Sequence, residues 1–339
     1  MYIDNISLKK SISSWLFFMF WIISVMIIVG GLTRLTDSGL SITEWELFAG
    51  FLPPMNETSW NIYFDLYKEI PEFKLQNYDM TMSEFKVIFW WEWVHRFLGR
   101  LIGISFLIPL LYFTYRTNFK LMINFYLIFF LICFQGFIGW YMVSSGLVNR
   151  VDVSHYRLAV HLMVAFIILS FILWNYLNLK VLEFPKKNIN FFLSLVLLLI
   201  VYLQITIGAF VSGMDAGTIY NTWPMMGLNY FPNDNDLSNL FSISVFNDPS
   251  LVQFLHRNLA YLIIIFYIYI FFKIYTNKLT RLYGPINLVG LFLIAQVILG
   301  VLTLLNGAQI YLASMHQISS IFLVSSCVYF LYLNKQFSN

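Results

Sequence analysis

Charged residues are scarce in this chain, and cysteine is almost absent. Only 11% of the 339 residues are Asp, Glu, Lys or Arg, whereas 59% are hydrophobic. An ordinary soluble domain is excluded, because nothing would cover that much apolar surface in water. The two cysteines, Cys133 and Cys327, both lie inside apolar runs. We therefore expect buried, packed thiols and no disulfide-bearing outer domain.

A surplus of one charge sign is also missing. The formal net charge of +3 is spread over the loops, so the chain lacks the basic surface that binds nucleic acid. The first apolar segment is too long for a signal-peptide core and has no small-x-small cleavage site, so we expect a retained membrane span. No basic amphipathic presequence precedes it, which favours a bacterial inner membrane over a mitochondrial one.

Long apolar runs, by contrast, dominate the chain. A helix needs about 20 apolar residues to cross a hydrocarbon core of about 30 Å, and eight runs meet this requirement. These runs lie at 14–33, 87–114, 120–144, 154–178, 189–212, 251–275, 284–305 and 310–333. The sequence thus predicts an all-α integral membrane protein with eight transmembrane helices.

Loop charges predict the orientation of these helices. The 214–250 loop has four Asp and no Lys or Arg, whereas basic residues concentrate in the second, fourth and sixth loops and near both termini. By the positive-inside rule, both termini are cytoplasmic. We call 34–86 the first long loop and 214–250 the second; we expect lids over the outer mouth or short interfacial helices there. The basic residues are Lys9, Lys10, Arg116, Lys120, Lys180, Lys186, Lys187, Lys273, Lys278, Arg281 and Lys335.

The two halves of the chain resemble each other. The repeat predicts an N-terminal four-helix bundle at 1–180 and a C-terminal one at 181–339, related by a pseudo-twofold axis along the membrane normal. A shift of 178 carries Gly30, Asp37, Gly39 and Trp45 to Gly208, Asp215, Gly217 and Trp223. A shift of 161 carries His95, Arg96, Gln135, Gly139 and Gly146 to His256, Arg257, Gln296, Gly300 and Gly307. A shift of 155 carries Tyr156 and His161 to Tyr311 and His316.

Four of the five histidines share one depth in the predicted helices. They are His95, His161, His256 and His316, on the second and fourth helix of each half. Each lies roughly 9–14 Å below the outer end of its helix. Helix bundles build cofactor sites from facing helices, and a haem accepts two axial imidazoles. The pattern favours haem. A copper or zinc site stays open, although the Cys, Asp or Glu ligands that usually accompany those metals are missing.

A carboxylate beside one histidine distinguishes the two halves. Glu92 lies three residues before His95, so both share one helix face, and the shift of 161 turns Glu92 into Gln253. A charged group at a span centre costs about 2.5–3.5 kcal/mol and usually serves a function. Because proton transfer needs a titratable group, we predict a reactive site in the first half and a permanent electron-transfer cofactor in the second. Alternatively, Glu92 simply pairs with Arg96.

Arginines follow the second-helix histidines in both halves. Arg96 and Arg257 could hold haem propionates, because a planar guanidinium meets a carboxylate in a two-pronged way. An ordinary ion pair or interfacial anchor is the alternative. Arg100 and Arg157 are weaker candidates, because neither has an arginine counterpart in the second half.

Other polar residues of the spans have structural interpretations. Asp37 and Asp215 stand beside glycines at span ends, which predicts turns or caps. Gln135 and Gln296 are expected to form hydrogen bonds between helices. His155, the fifth histidine, should point away from the His161 site and lie at the interface.

Several long segments carry a distinctive pattern. They are 30–34, 38–42, 89–96, 98–100, 136–143, 156–159 with His161, 220–226 and 253–257. Together, from about residue 14 to 333, they resemble haem A synthase of the proteobacterial and mitochondrial type. The resemblance implies a haem-dependent oxidoreductase that converts the C8 methyl of haem O to a formyl group by successive hydroxylations. Its product is haem A, for cytochrome oxidase biogenesis.

The same resemblance implies roles for individual residues. His95 and His161 would face the substrate haem, His256 and His316 would hold haem b, and Glu92 would be the functionally important glutamate. Some members have paired cysteines in the first long loop. This chain has none there, so a thiol-based step cannot operate.

Partners follow from the same resemblance. They are haem O, a haem O synthase, cytochrome oxidase assembly proteins, the lipid bilayer and an electron donor that the sequence does not identify; nucleic acid is not among them. Two other functions remain open: a dihaem cytochrome b-like carrier that exchanges electrons with quinone, and a haem transporter or chaperone.

Overall fold

The fold was analysed in a computed structural model, which describes residues 5–46, 49–148, 150–180 and 187–335. Lys186 and the start of the predicted second half, at 181, lie outside these residues. The described residues form helices, turns and an isolated bridge between Met226 and Asn229, without a strand. The α-helices are α1 (Ile6–Leu35), α2 (Glu57–Lys68), α3 (Pro71–Leu75), α4 (Met82–Arg116), α5 (Phe119–Val143), α6 (His155–Leu179), α7 (Phe191–Gly213), α8 (Pro249–Thr276), α9 (Tyr283–Leu305) and α10 (Ile310–Leu333).

The eight predicted spans are confirmed. All helices except α2 and α3 are long and apolar enough to cross a membrane, so the protein is a multi-pass membrane protein. The first two begin earlier than predicted, at Ile6 and Met82. Helix α4 starts early because Thr81 and Glu84 form a reciprocal capping box that satisfies free backbone N–H groups among polar residues. Hydropathy alone does not detect such a start.

Side-chain caps begin several of the spans. Asn118 accepts a hydrogen bond from Leu121 N at the start of α5, and Asp248 accepts one from Leu251 N at the start of α8. Pro249 stands at the first position of α8, where its missing N–H costs nothing. The starts of α5 and α8 are therefore fixed locally, which sets the depth of the side chains along these helices.

The described residues form two compact units. One comprises Trp21–Ala165 within the described ranges, and the other comprises the residues up to Phe20 together with those from Phe166 onward. In the second of these units, α10 packs against α9 and α7, and α7 packs against α8. Tyr202 donates a hydrogen bond to Ser170 at 2.6 Å, which joins α7 to the end of α6 in that unit.

The first long loop folds into short helices, one of the two predicted alternatives. Aromatic side chains of α2 pack on the start of α4, with ring centres 4.9 Å apart for Trp60 with Phe89 and for Phe64 with Phe85. Burying a side chain such as Phe64 stabilises the packing by about 1.5–3 kcal/mol. In the second long loop the backbone forms short 3₁₀ turns, at Leu237–Phe241 and Ile243–Asn247 among others.

The expectation for the cysteines is half right. Cys327 is buried on α10, as predicted, but Cys133 is exposed on α5. An apolar run gives no sign of which helix face meets protein and which meets lipid. Cys133 lies on a face that other helices do not cover.

Candidate functional site

The first histidine pair lies within the unit of Trp21–Ala165. His95 comes from the middle of α4 and His161 from the second turn of α6, and their ring centres are 6.4 Å apart. The Nδ1 atom of each ring is buried and has no hydrogen-bond partner among the described residues. Two imidazoles from distant parts of the sequence therefore face each other, as the matched depths predicted.

The spacing of this pair fits one metal ion between two imidazoles. Metal–imidazole nitrogen bonds are about 2 Å long, which puts the centres of two rings on opposite sides of one ion about 6 Å apart. The observed 6.4 Å agrees with this value. Among the described residues no group of three or more His, Cys, Asp or Glu side chains could hold a metal ion. The donor set thus suits a macrocyclic metal, such as haem iron, which needs only two axial ligands from protein.

The second histidine pair lies in the other unit, on α8 and α10. His256 and His316 are close enough to interact electrostatically. The Nδ1 atom of His256 is buried without a partner in the described part of the chain, and the buried His316 ring interacts with the backbone of Gln296. Gln204 on α7 donates a hydrogen bond to the backbone carbonyl of His256 at 3.0 Å. In the first unit, Gln135 on α5 donates a hydrogen bond of the same kind to the His161 carbonyl at 2.9 Å, although the repeat pairs Gln135 with Gln296 and not with Gln204.

Glu92 is buried at the centre of a hydrogen-bond network. Its Oε1 accepts two hydrogen bonds from the Arg96 guanidinium, at 2.6 and 3.0 Å. Its Oε2 accepts one from the Ser41 hydroxyl at 2.7 Å and one from the Ile42 backbone N–H at 2.8 Å. The alternative interpretation, an ion pair with Arg96, is therefore present, and the same carboxylate also ties the chain after α1 to α4.

Arg96 and Arg257 hold the long loops in matching ways. Arg96 donates to the backbone carbonyls of Ile42 and Glu44 at 2.6 and 2.9 Å. Arg257 donates to those of Tyr220 and Thr222, both at 2.8 Å. The shift of 178 carries Ile42 to Tyr220 and Glu44 to Thr222, so the internal repeat extends to individual hydrogen bonds. Both arginines are anchors in the structure, and binding of propionates remains a prediction.

The weaker arginine candidates also bind backbone carbonyls. Arg100 donates to the carbonyl of Glu46 at 2.6 Å, and Arg157 donates to that of Tyr141 and lies 3.6 Å from the centre of its ring. A small cleft beside Arg96 and Arg100 is lined by Ile42, Glu46, Gly50, Leu52, Tyr63, Phe89 and Trp93 as well. Two guanidiniums at one cleft make it a suitable place for an anionic group.

The chain is similar to known proteins along almost its whole length. The model of the family described as "Cytochrome oxidase assembly protein" matches residues 13–328. The chain belongs to this family. It is 48% identical to a protein named Heme A synthase from Pelagibacter ubique (strain HTCC1062), over 99% of this chain and 100% of that one. Proteins of the same name from Rickettsia bellii (strain OSU 85-389) and Flavobacterium johnsoniae are 40% and 39% identical, with at least 95% of this chain and 98% of each relative covered. The resemblance predicted from the motifs is confirmed.

In this member of the cytochrome oxidase assembly family, the sequence suggested Arg96 as a partner of Glu92 but did not reveal the other two. Ser41 and Ile42 are its partners across the long loop, yet neither carries a charge that would have drawn attention. The internal repeat connects the two loops. Gln253, the counterpart of Glu92, donates a hydrogen bond to the backbone carbonyl of Tyr220, and Tyr220 aligns with Ile42, which binds Glu92. The shift of 178 residues, applied to both loops, could have suggested that each loop binds the polar residues of the helix that follows it.

The remaining polar residues have local roles. Asp37 and Asp215 both have positive φ, of 47° and 49°, in the turns that follow α1 and α7, in line with the predicted turn role. His155 is the first residue of α6, where it is buried against the ring of Tyr156.

Proposed function

We propose that this protein oxidises the C8 methyl group of haem O to a formyl group and so produces haem A for cytochrome oxidase. The family and the relatives named Heme A synthase support this function along nearly the whole chain. The observation that carries the proposal in the structure is the facing pair His95 and His161, whose spacing suits one iron atom. A second imidazole pair supports a resident haem besides the substrate.

The histidines divide between the two haems. His95 and His161 hold the substrate haem O and then the product haem A, whereas His256 and His316 hold a haem b. When bound, haem b supplies electron transfer. Haem O enters laterally from the bilayer with its farnesyl tail in lipid. Arg96 and Arg257, which already anchor the loops beside these pairs, supply positive charge for the propionates.

Conversion of a methyl to a formyl group is a four-electron oxidation, so an external oxidant must accept the four electrons that leave the carbon. Two successive hydroxylations give a geminal diol, which loses water to leave the aldehyde. Protons must leave the reacting carbon, and Glu92 is a buried carboxylate beside His95 whose counterpart in the second half is the amide Gln253. Its role is to accept or relay these protons, or to stabilise positive charge that develops at the carbon.

The cellular setting follows the same proposal. The protein lies in a bacterial inner membrane with both termini in the cytoplasm, receives haem O from a haem O synthase and delivers haem A to cytochrome oxidase assembly. The acidic second long loop and the basic shorter loops support this orientation.

The test is to extract and chromatograph the haems of membranes in which the chain is produced together with a source of haem O. Haem A in these membranes supports the proposal. Haem B alone would favour the dihaem electron carrier, and bound haem O that is never converted would favour the transporter.

Glu92→Gln, which copies the second half, tests the role of the carboxylate in the same assay. We expect haem O to accumulate while haem binding persists. Ser41→Ala is the matched control, because it removes one hydrogen bond to Glu92 and keeps the carboxylate. If both variants lose haem A equally, Glu92 only anchors the loop; if Glu92→Gln makes haem A normally, it has no role in the reaction.

A further inference from the structure

Each of the four buried histidines rests against a glycine of a neighbouring helix. The glycines lie on α1, α5, α7 and α9, and in every case the Cε1 and Nδ1 edge of the ring faces the glycine. A Cβ atom on the glycine would lie this far from the imidazole Cε1: Gly30 to His95 2.8 Å, Gly139 to His161 3.1 Å, Gly208 to His256 3.0 Å, and Gly300 to His316 3.0 Å. Even a methyl group would therefore displace the ring or the helix.

This contact is not shared by every glycine in the spans. Gly103 lies on α4 and Gly136 on α5, and a Cβ atom on either would have no described heavy atom within 4 Å beyond its own surroundings on the helix. Gly136 is only three residues from Gly139 on the same helix. A side chain at Gly139 would contact His161, whereas one at Gly136 would have free space.

The glycine contact occupies a place that a hydrogen bond usually fills. A histidine that binds a metal commonly donates its other ring N–H to a carboxylate or carbonyl, which fixes the ring orientation. In His95, His161 and His256 the Nδ1 atom lacks such a partner among the described residues, whereas the His316 ring also interacts with the backbone of Gln296. The backbone of the glycine contacts the Cε1 and Nδ1 edge of the ring instead.

A glutamine one turn before the glycine fixes the histidine backbone in two cases. Gln135 and Gln204 precede Gly139 and Gly208 by four residues and donate to the backbone carbonyl of the histidine concerned. The glutamine thus holds the histidine backbone while the glycine sets the plane of the ring.

We propose that Gly30, Gly139, Gly208 and Gly300 are positioning residues, which set the orientation of the four imidazoles by steric contact, and that at His95, His161 and His256 this contact stands in place of a hydrogen bond. This inference rests on the proposed function, because it takes the imidazoles to be haem ligands. By holding the Nδ1 edge against a neighbouring helix, each glycine turns the opposite nitrogen, Nε2, away from that glycine. At His256, Nε2 lies 3.2 Å from the Gln204 amide nitrogen, a contact that haem binding would replace. The tightest contact, at Gly30, belongs to the substrate pair.

The test compares Gly139→Ala with Gly136→Ala in purified protein that has been loaded with haem O. The readouts are the affinity for haem O and the electron paramagnetic resonance signal of the low-spin ferric haem, whose g values depend on ring orientation. For Gly139→Ala we expect shifted g values and roughly 10–100-fold weaker binding, as for loss of an orienting partner of a metal ligand. Gly136→Ala should match the parent protein in both.

Gly208→Ala is the companion variant for the resident haem. It should shift the signal of haem b and leave that of haem O unchanged, whereas Gly139→Ala should do the reverse. These opposite effects of the two variants also distinguish the positioning role from general misfolding, because a misfolded protein would lose both haem signals. If Gly208→Ala does not give monodisperse protein, Gly300→Ala tests the same haem through His316.

The outcomes separate the two proposals. Parent protein that binds no haem would overturn the proposed function itself. Parent protein with two low-spin haems, together with Gly139→Ala and Gly208→Ala variants that retain its g values and affinities, would overturn the positioning role and leave the function standing.

Discussion

Among single residues, Arg257 shows why arginine and not lysine stands beside the histidines. Its guanidinium donates to three backbone carbonyls of the second long loop, those of Tyr220, Thr222 and Met225, at 2.8, 2.8 and 3.2 Å. A planar fork with five N–H groups can serve several acceptors at fixed angles, whereas an ammonium is a point charge on a flexible stem. The loop is therefore held by the shape of the guanidinium as well as by its charge.

Arg257→Lys should loosen the second long loop. Hydrogen bonds to a charged donor contribute about 1.5–3 kcal/mol each, so loss of one raises the open population of residues 220–226 roughly tenfold to a hundredfold. Hydrogen exchange measured by mass spectrometry on this segment checks the prediction. Lys273→Arg, at the other end of α8, is the control and should leave the exchange of 220–226 unchanged. Equal exchange in Arg257→Lys and parent protein would show that charge alone holds the loop.

The site could be predicted from the sequence as far as its residue types and depths, but not as far as its contacts. The repeat identified His95, His161, His256 and His316, and the difference between Glu92 and Gln253, because these depend on spacing along helices. The hydrogen bonds to Glu92 depend instead on how residues 38–42 turn after α1. That turn is set by tertiary contacts 50 and 51 residues apart in sequence, which no local pattern contains.

For the helices of the first long loop, the feature that the sequence did not suggest is a buried acid. Glu72 on α3 is only 3% exposed, and its carboxyl accepts a hydrogen bond from the Tyr67 hydroxyl at 3.0 Å. Asn77 donates to the same hydroxyl at 2.8 Å. Burial raises the pKa of Glu72 from its ordinary value of 4.5 to about 8. The packed α2–α3 segment therefore holds a proton that an opened segment would release at neutral pH.

This proton makes the packing of α2 and α3 depend on pH. Because the pKa of Glu72 is higher in the packed state, the packing is most stable below about pH 4.5 and weakens as pH rises to about 8. We expect hydrogen exchange of residues 57–75, corrected for its intrinsic pH dependence, to show less protection at pH 8.5 than at pH 5.5.

Glu72→Gln, a neutral side chain of the same shape, should give equal protection at both pH values. Glu69→Gln provides the comparison, because the exposed Glu69 pairs only with Lys74 at the surface. Exchange that still depends on pH in Glu72→Gln, as it does in the parent, would assign the effect to another group.

Helix prediction succeeded where hydropathy decides and failed where packing decides. All eight spans are present, because a run of apolar residues of this length has no other stable place. The exposure of Cys133 and the exact path of both long loops depend on which surfaces meet. Composition allowed lids or short interfacial helices for the first long loop; the structure has the short helices α2 and α3 there, and their aromatic contacts with α4 through Trp60 and Phe64 follow from no local pattern.

For the whole molecule, the small number of cysteines makes the predicted orientation simple to test. Replacement of Cys133 and Cys327 by alanine leaves a chain without thiols, into which single cysteines can be placed. Leu52 and Leu228 are exposed on the two long loops, and Tyr115 is exposed at the opposite end of α4. In intact spheroplasts, a maleimide that cannot cross the membrane should label Leu52→Cys and Leu228→Cys but not Tyr115→Cys. Labelling in the opposite pattern would reverse the assigned orientation.

The arginine anchors also determine how freely the long loops can change in evolution. Arg96 and Arg257 donate hydrogen bonds to the backbone carbonyls, which every amino acid has, and not to the side chains, of Ile42, Glu44, Tyr220 and Thr222. Substitutions at these four positions thus preserve the acceptors as long as the backbone keeps its path. After a duplication, two such loops can therefore diverge in length and fold, one forming α-helices and the other short 3₁₀ turns, while each stays bound by the same inherited arginine.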